Sequence, residues 1–370
     1  MSKERKLKDG SYVIWGDKTI KNMTSNGFNY RYNMESGLHM QWGENYDHDP
    51  QRCNFGPIIA DIEVTSKCGG PGGRVCSFCY KSNTAHKGMH MTLQDFKTVF
   101  DKLPPTLTQI AFGADADLSL SPNIYDMMDY ARSKRVVPNI TVADVNKETA
   151  EKLAKRVGAV AVSWYGMEND KNFCYNSIQN LHDAGVDQIN IHFMLSKESL
   201  PYVDELIEDI ETDSRLKHLN AVVFLSLKQK GRGVSFVGCN ESEFRSVVEK
   251  MLARNIGFGF DSCSAPKFLK SVEGHEREED FKMMSESCES LSSSIYINEK
   301  GVIYPCSFME NMSWNSIDYN KSEGWNMLDD SIKDHKEFVD KVWNSDRAIA
   351  FSTQGAMCAS CGNGCQVYTI

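Results

Sequence analysis

Cys68, Cys76 and Cys79 share one short stretch, Cys68-Gly-Gly-Pro-Gly-Gly-Arg-Val-Cys76-Ser-Phe-Cys79. As thiolates, such residues ligate iron–sulfur clusters or zinc. Three thiolates suit a four-iron cluster that leaves one iron open. An open iron binds and reduces a substrate instead of only relaying an electron. A Cys-x-x-Cys pair also serves zinc or redox chemistry. Zinc would need a fourth ligand, for which His86 and His90 are candidates. Seven residues separate Cys68 from Cys76; four are glycine and one is proline. Such a segment folds into a compact loop, because glycine adopts backbone angles closed to other residues.

A second constellation lies near the end of the chain. Cys288 is followed by twelve residues, then Gly301, four more residues and Cys306; later comes Cys358-Ala-Ser-Cys361-Gly-Asn-Gly-Cys365. Two thiols on a hairpin and two on a turn can staple a small domain around a cluster or around zinc. Cys53, Cys174, Cys239 and Cys263 are isolated in sequence and are expected as buried apolar residues.

The elements that must position these thiols alternate. Strands are expected over 58–65, 107–112, 138–143, 159–164, 188–195, 220–226 and 256–261. Helices are expected over 91–103, 121–135, 146–157, 172–184, 200–211 and 241–254, with Thr92, Asn146 and Glu241 near helix starts. Short β-rich runs alternating with amphipathic helices predict βα units and a parallel sheet curled into a partial (β/α)6-type barrel. Its ligand face is at the C-terminal strand ends, where Cys68 follows the first strand. Tyr30-Arg-Tyr32 and Leu38-His-Met-Gln-Trp42 alternate around Glu35-Ser-Gly37, which predicts a β-hairpin. The organisation expected is an N-terminal β-rich extension over 1–56, a barrel over 57–265, and a small cysteine-rich α+β cluster domain over 266–370.

The 370 residues are 41% hydrophobic and 25% charged, as in an ordinary globular protein. No apolar run is long enough to cross a bilayer, and the polar start Met1-Ser-Lys-Glu-Arg5 carries no export signal, so the cytoplasm is expected. Twelve cysteines in such a chain fit metal or cluster binding better than disulfides. A net charge of −9 argues against a nucleic-acid partner. The basic run Lys228-Gln-Lys-Gly-Arg232 is expected to be a solvated loop.

Cys76-Ser77-Phe78-Cys79, placed just after a first strand, resembles the radical S-adenosylmethionine superfamily, whose signature is Cys-x3-Cys-x-aromatic-Cys. The longer first spacing departs from that pattern. The Cys288, Gly301, Cys306 and Cys358/Cys361 pattern resembles the auxiliary-cluster extension of those enzymes, called SPASM or, in its shorter form, Twitch.

The resemblance implies a [4Fe-4S] cluster on Cys68, Cys76 and Cys79, and S-adenosylmethionine as cosubstrate. It also implies an auxiliary [4Fe-4S] cluster on Cys288, Cys306, Cys358 and Cys361, with Cys365 spare or an alternative ligand. Phe78 would pack near the adenine, Gly113 and Asp115 would meet the methionyl amine, and Ser163 the ribose. The activity implied is reductive cleavage to a 5′-deoxyadenosyl radical that abstracts hydrogen, oxidising or cross-linking a peptide or protein side chain. A small alcohol or nucleoside-like substrate is the alternative. The electron would come from a flavodoxin- or ferredoxin-like donor. A zinc-stapled, non-catalytic binding protein is the reading from another class. Trp164, Tyr165 and His192 are expected in the core; shaping the substrate side of the pocket is the other role open to Trp164 and Tyr165, and general acid/base that open to His192.

Overall fold

In the computed structural model the described residues are 12–48, 50, 52–168, 170–286, 288–314, 317–318, 325–360 and 365. The chain opens with an antiparallel sheet of β1 (Val13–Trp15), β2 (Ile20–Thr24), β3 (Asn29–Asn33) and β4 (His39–Trp42). The expected hairpin is the β3–β4 pair, which proves to be half of a four-stranded meander. Met23, Phe28, Tyr30 and Tyr32 bury its inner face against Ile58 and Val137 of the main body.

The main body alternates strand and helix throughout. Its elements are β5 (Ile59–Glu63), α1 (Leu93–Asp101), β6 (Gln109–Gly113), α2 (Ile124–Ser133), β7 (Val137–Val142), α3 (Lys147–Ala154) and β8 (Ala159–Trp164). They continue as α4 (Asn172–Asp183), β9 (Gln188–Leu195), α5 (Val203–Thr212), β10 (Ala221–Ser226), α6 (Glu241–Ala253) and β11 (Phe258–Phe260). All seven expected strands form, side by side in chain order and parallel. All six expected helices form as well. Thr92 and Asn146 accept hydrogen bonds from the Asp95 and Thr149 amides as N-caps. Asn240, one residue before the expected Glu241, caps α6 in a capping box with Glu243.

Beyond α7 (Ala265–Ser271) and α8 (Glu278–Met284) the chain returns to the same sheet. There β12 (Ser294–Ile297) pairs in parallel with β5 and antiparallel with β13 (Ile303–Tyr304). The expected hairpin therefore forms, and the segment expected as a separate C-terminal domain supplies two strands of one nine-stranded sheet. Its Ile295, Ile297, Ile303 and Trp343 share the core of the βα units.

Even-numbered Ala60, Ile62, Ile110, Phe112, Ile140, Val160 and Val162, with odd-numbered Ile191 and Phe193, bury the helix-facing side. The alternate residues face inward, as the two-residue strand period requires. No helix among the described residues is long and apolar enough to cross a membrane.

Candidate active site

After β5 the chain leaves the sheet at Val64 and returns at Met91, whose amide donates to the Val64 carbonyl at 2.9 Å. This pinned excursion carries the first three thiols at the C-terminal edge of the sheet. Gly70 makes the loop possible. Its φ is +74°, and a Cβ there would lie 1.7 Å from the Arg74 carbonyl oxygen. The Gly70 amide donates to the Cys68 sulfur at 3.4 Å, and the Cys79 amide to the Cys76 carbonyl at 3.3 Å. Burial, then the neighbouring Cys79 and Cys68, pushes the Cys76 thiol up to about 12. Cys68 is raised as well, by burial first and then by the nearby Asp115 and Cys79. Cys68 and Cys76, both beside Cys79, thus resist ionisation without a cation, and the three sulfurs are a donor set suited to a cationic cluster. Among the described residues no histidine joins them; His90 instead hydrogen-bonds the Thr65 hydroxyl at 2.8 Å.

Phe78 packs its ring on Tyr165 (centroids 5.3 Å) and Phe236 (6.0 Å). Tyr165 hydrogen-bonds both the Cys76 thiol and Ser163, so it belongs to this site and not to the general core. Trp164 does lie in the core, stacked on Phe193 at 4.9 Å. Gly113 ends β6 with Glu63 so close that a Cβ would sit 3.2 Å from its Cα. Asp115 is buried beside the thiols; its carboxylate binds the Ser121 hydroxyl and, at 2.9 Å, the Leu120 amide. Burial holds that carboxyl up at about 6.

The inner face of the sheet is open to water although its strands are central. Asp61 and Thr141 are exposed there, and Ser163, His192 and Val223 are half-buried. Asp61 is flanked by β6 and β12 on both sides, yet surrounding protein pushes its carboxyl up to about 6. Asp61 thus meets water on the inner face, here called the lumen, while protein crowds it at longer range. His192 faces the same lumen, where burial pushes it down to about 4. The expectation of a core histidine fails because β9 alternates, and His192 falls on the side opposite Ile191 and Phe193.

The second thiol set differs from the expected one. Cys263, expected as an isolated buried residue, hydrogen-bonds through its thiol to both Cys288 and Cys365. Those bonds, then burial, hold Cys263 up, while the bond from Cys263 pulls Cys288 down to about 7. Cys306 stands beside Cys288 and Cys365 and is pushed up to about 12, chiefly by burial. Cys263 follows β11 and Cys288 precedes β12, so the set sits where the two ends of the sheet approach each other. Cys53, Cys174 and Cys239 are buried as expected. Cys358 falls in the C-terminal helix (Asp346–Ser360), and Cys361 lies outside the described residues. Among the described residues no three Cys, His, Asp or Glu groups converge as a single-ion site requires. A four-iron cube asks less, because each thiolate bonds a different iron.

The basic run expected as a solvated loop is instead a strap between the two thiol sets. Lys228 is buried in an ion pair with Asp261. Lys230 donates to the carbonyls of Phe308 (3.0 Å) and Glu310 (2.7 Å), and Arg232 to the Cys76 carbonyl (2.7 Å). Beside the strap, Lys81 forms ion pairs with Glu63 and Glu310, and the Tyr296 hydroxyl donates to Glu63. Charged side chains at this position are internal because each finds a partner.

No family model matches the sequence, and no curated protein sequence matches it. Solved structures do share its fold. SuiB of Streptococcus suis bound to the precursor peptide SuiA superposes with a TM-score of 0.57 at 15% identity, over 80% of this chain and 66% of that one. SuiB bound to S-adenosylmethionine superposes at 0.55 and 15% identity, over 84% of this chain and 73% of that one. The chain thus spans just under two thirds of the peptide-bound SuiB. At that identity the likeness establishes the fold: a mixed α/β architecture built on a mostly parallel sheet.

Proposed function

We propose that this chain is a radical S-adenosylmethionine enzyme whose substrate enters the lumen between the two thiol sets. One observation carries the reading: Cys68, Cys76 and Cys79 gather at the C-terminal edge of β5, in a fold held in common with SuiB. When bound there, a three-thiolate [4Fe-4S] cluster supplies an open iron for S-adenosylmethionine and the electron that starts radical chemistry.

The chain's own residues bind and orient. Phe78 and Tyr165 offer an aromatic wall to the adenine, and Ser163 a hydroxyl to the ribose. Gly113 leaves room beside Glu63 for the methionyl end. Asp115 keeps lone pairs beyond those used by Ser121 and Leu120 for an ammonium group. In the lumen, Asp61, Thr141 and His192 present polar groups to the substrate. The second set, Cys263, Cys288, Cys306 and Cys365, offers four thiolates to an auxiliary cluster. With all four engaged it has no open iron, which suits electron transfer or stapling of the sheet ends.

A peptide or protein side chain is the preferred substrate, and its oxidation or cross-linking the preferred outcome. The support is the likeness to SuiB, solved with its precursor peptide. A flavodoxin- or ferredoxin-like protein is the electron donor proposed. The test is formation of 5′-deoxyadenosine by anaerobically reconstituted protein with dithionite and S-adenosylmethionine. About eight irons per chain fit two four-iron clusters. Zinc without iron would instead establish the stapled binding protein.

A further inference from the structure

The run from Lys228 to Arg232 touches both thiol sets, and its contacts divide by residue. Arg232 serves the first set: its amide donates to the Cys79 carbonyl (3.0 Å), its Nε to the Cys76 carbonyl (2.7 Å), and its terminal nitrogens to the Asn83 carbonyl (3.2 Å). Lys230 serves the second: its ammonium donates to the carbonyls of Phe308 and Glu310, and more weakly to that of Ser307 at 3.4 Å, all just after Cys306. Lys228 pairs with Asp261, two residues before Cys263, and lies 5.0 Å from the Phe308 ring. Between them Gly231, at φ +57°, lets the strap press against the first loop; a Cβ there would fall 2.3 Å from the Tyr80 carbonyl oxygen. Tyr80, next to Cys79, packs against Phe308 with tilted rings, centroids 4.5 Å apart, and the Lys230 ammonium lies 6.0 Å from the Tyr80 ring. Two residues of this run, Lys230 and Arg232, therefore bond the backbones of two loops that are far apart in sequence.

We propose that residues 228–232 are a positioning strap that fixes the two thiol sets relative to one another, with Lys230 and Arg232 as its anchors. A backbone carbonyl bonded to a half-buried cation, as Lys230 and Arg232 are, cannot shift without breaking a charge-assisted bond. A change at either anchor is therefore transmitted across the strap to the opposite loop. The consequence for turnover rests on the function proposed above, but the strap itself does not.

Hydrogen exchange on the full chain tests it without any cofactor. Arg232→Gln keeps every contact of the second loop. It is nevertheless expected to speed exchange of the Met309 and Met312 amides, which bond to Cys306 and Met309, by about tenfold. Lys230→Met is expected to do the same to the Cys79 and Ser82 amides of the first loop, and Lys230→Arg to restore protection. Effects confined to the loop each anchor touches would overturn the proposal. If Lys230→Met does not fold, Lys230→Gln carries the same comparison.

A second readout uses reconstituted protein. S-adenosylmethionine changes the EPR spectrum of a cluster it binds; Lys230→Met should diminish that change at the first set and Lys230→Arg should restore it. Coupled exchange in a protein that shows no such EPR change would leave the strap standing and reject the radical-enzyme reading. An EPR change identical in wild type and Lys230→Met would remove the anchor role of Lys230.

Discussion

The two thiol sets reach proximity by opposite routes. The first is local: Cys68, Cys76 and Cys79 lie on one excursion between β5 and α1, and Gly70 closes the turn that gathers them. The second is dispersed: Cys263 follows β11, Cys288 precedes β12, Cys306 follows β13, and Cys365 lies near the end of the chain. A local set forms wherever its loop forms. A dispersed set forms only when the strands that carry it have assembled, because loop-closure entropy keeps distant thiols apart until packing brings them together. A centre bound at the second set therefore stabilises the assembled sheet, whereas one bound at the first only needs it.

Four experiments break or sharpen that contrast. The largest effect is expected at the local set. Cys76→Ala should lower 5′-deoxyadenosine formation at least about a hundredfold, since removal of a direct ligand exceeds the loss seen for residues that merely support ligands. Iron at the second set should survive that change; loss of all iron would mean that the two sets are not separate.

Next comes the thiol that separates the second set from the pattern expected of it. Cys263→Ala should reduce iron from about eight to about four per chain, while Cys174→Ala, in the buried core, leaves iron unchanged. Full iron content in the Cys263 variant would restore the ligand set that ends in Cys358 and Cys361.

The strap is the third point. Gly231→Ala should destabilise the folded chain by about 2 kcal/mol in chemical denaturation, because the new Cβ meets backbone at a left-handed φ. An unchanged midpoint would mean that the strap lies looser on the first loop than its contacts imply.

The smallest effect concerns the inner face of the sheet, where His192 lies. His192 is pushed down to about 4 when folded, against an ordinary value of 6.5. The unfolded chain therefore binds more protons between those values. The stability due to neutral His192 is complete above pH 6.5 and is lost as pH falls toward 4. His192→Phe should flatten the stability–pH curve in that window by up to about 1.4 kcal/mol per pH unit. An unaltered slope would place His192 in free solvent.

The alternating βα order was legible because its signals are local. The 58–65 run and its successors carry β-rich periodicity, and the intervening helices carry caps such as Thr92 and Asn146. Phe78 and Cys79 sat in a readable motif for the same reason. Cys263 was not legible as a partner of Cys288, although its place just past the expected strand 256–261 put it on the ligand-bearing edge. The Lys228–Arg232 run misled for a related reason: charge density favours solvent by default, and only Asp261 and the carbonyls of Cys76, Phe308 and Glu310 explain why its charged side chains turn inward. Tyr165 and Trp164, adjacent in sequence, part company because the strand period sends one to the site and the other to the core.

The order of strands and helices, the three-thiol loop and the hairpin before Cys306 follow from the sequence alone, since each depends on residues within one or two turns of chain. Which distant thiols meet, which face of β9 carries His192, and how a basic run comes to bridge two cysteine sites were decided by the assembly of the nine-stranded sheet. Only that assembly sets which backbone groups and charges lie within bonding distance across hundreds of residues of chain.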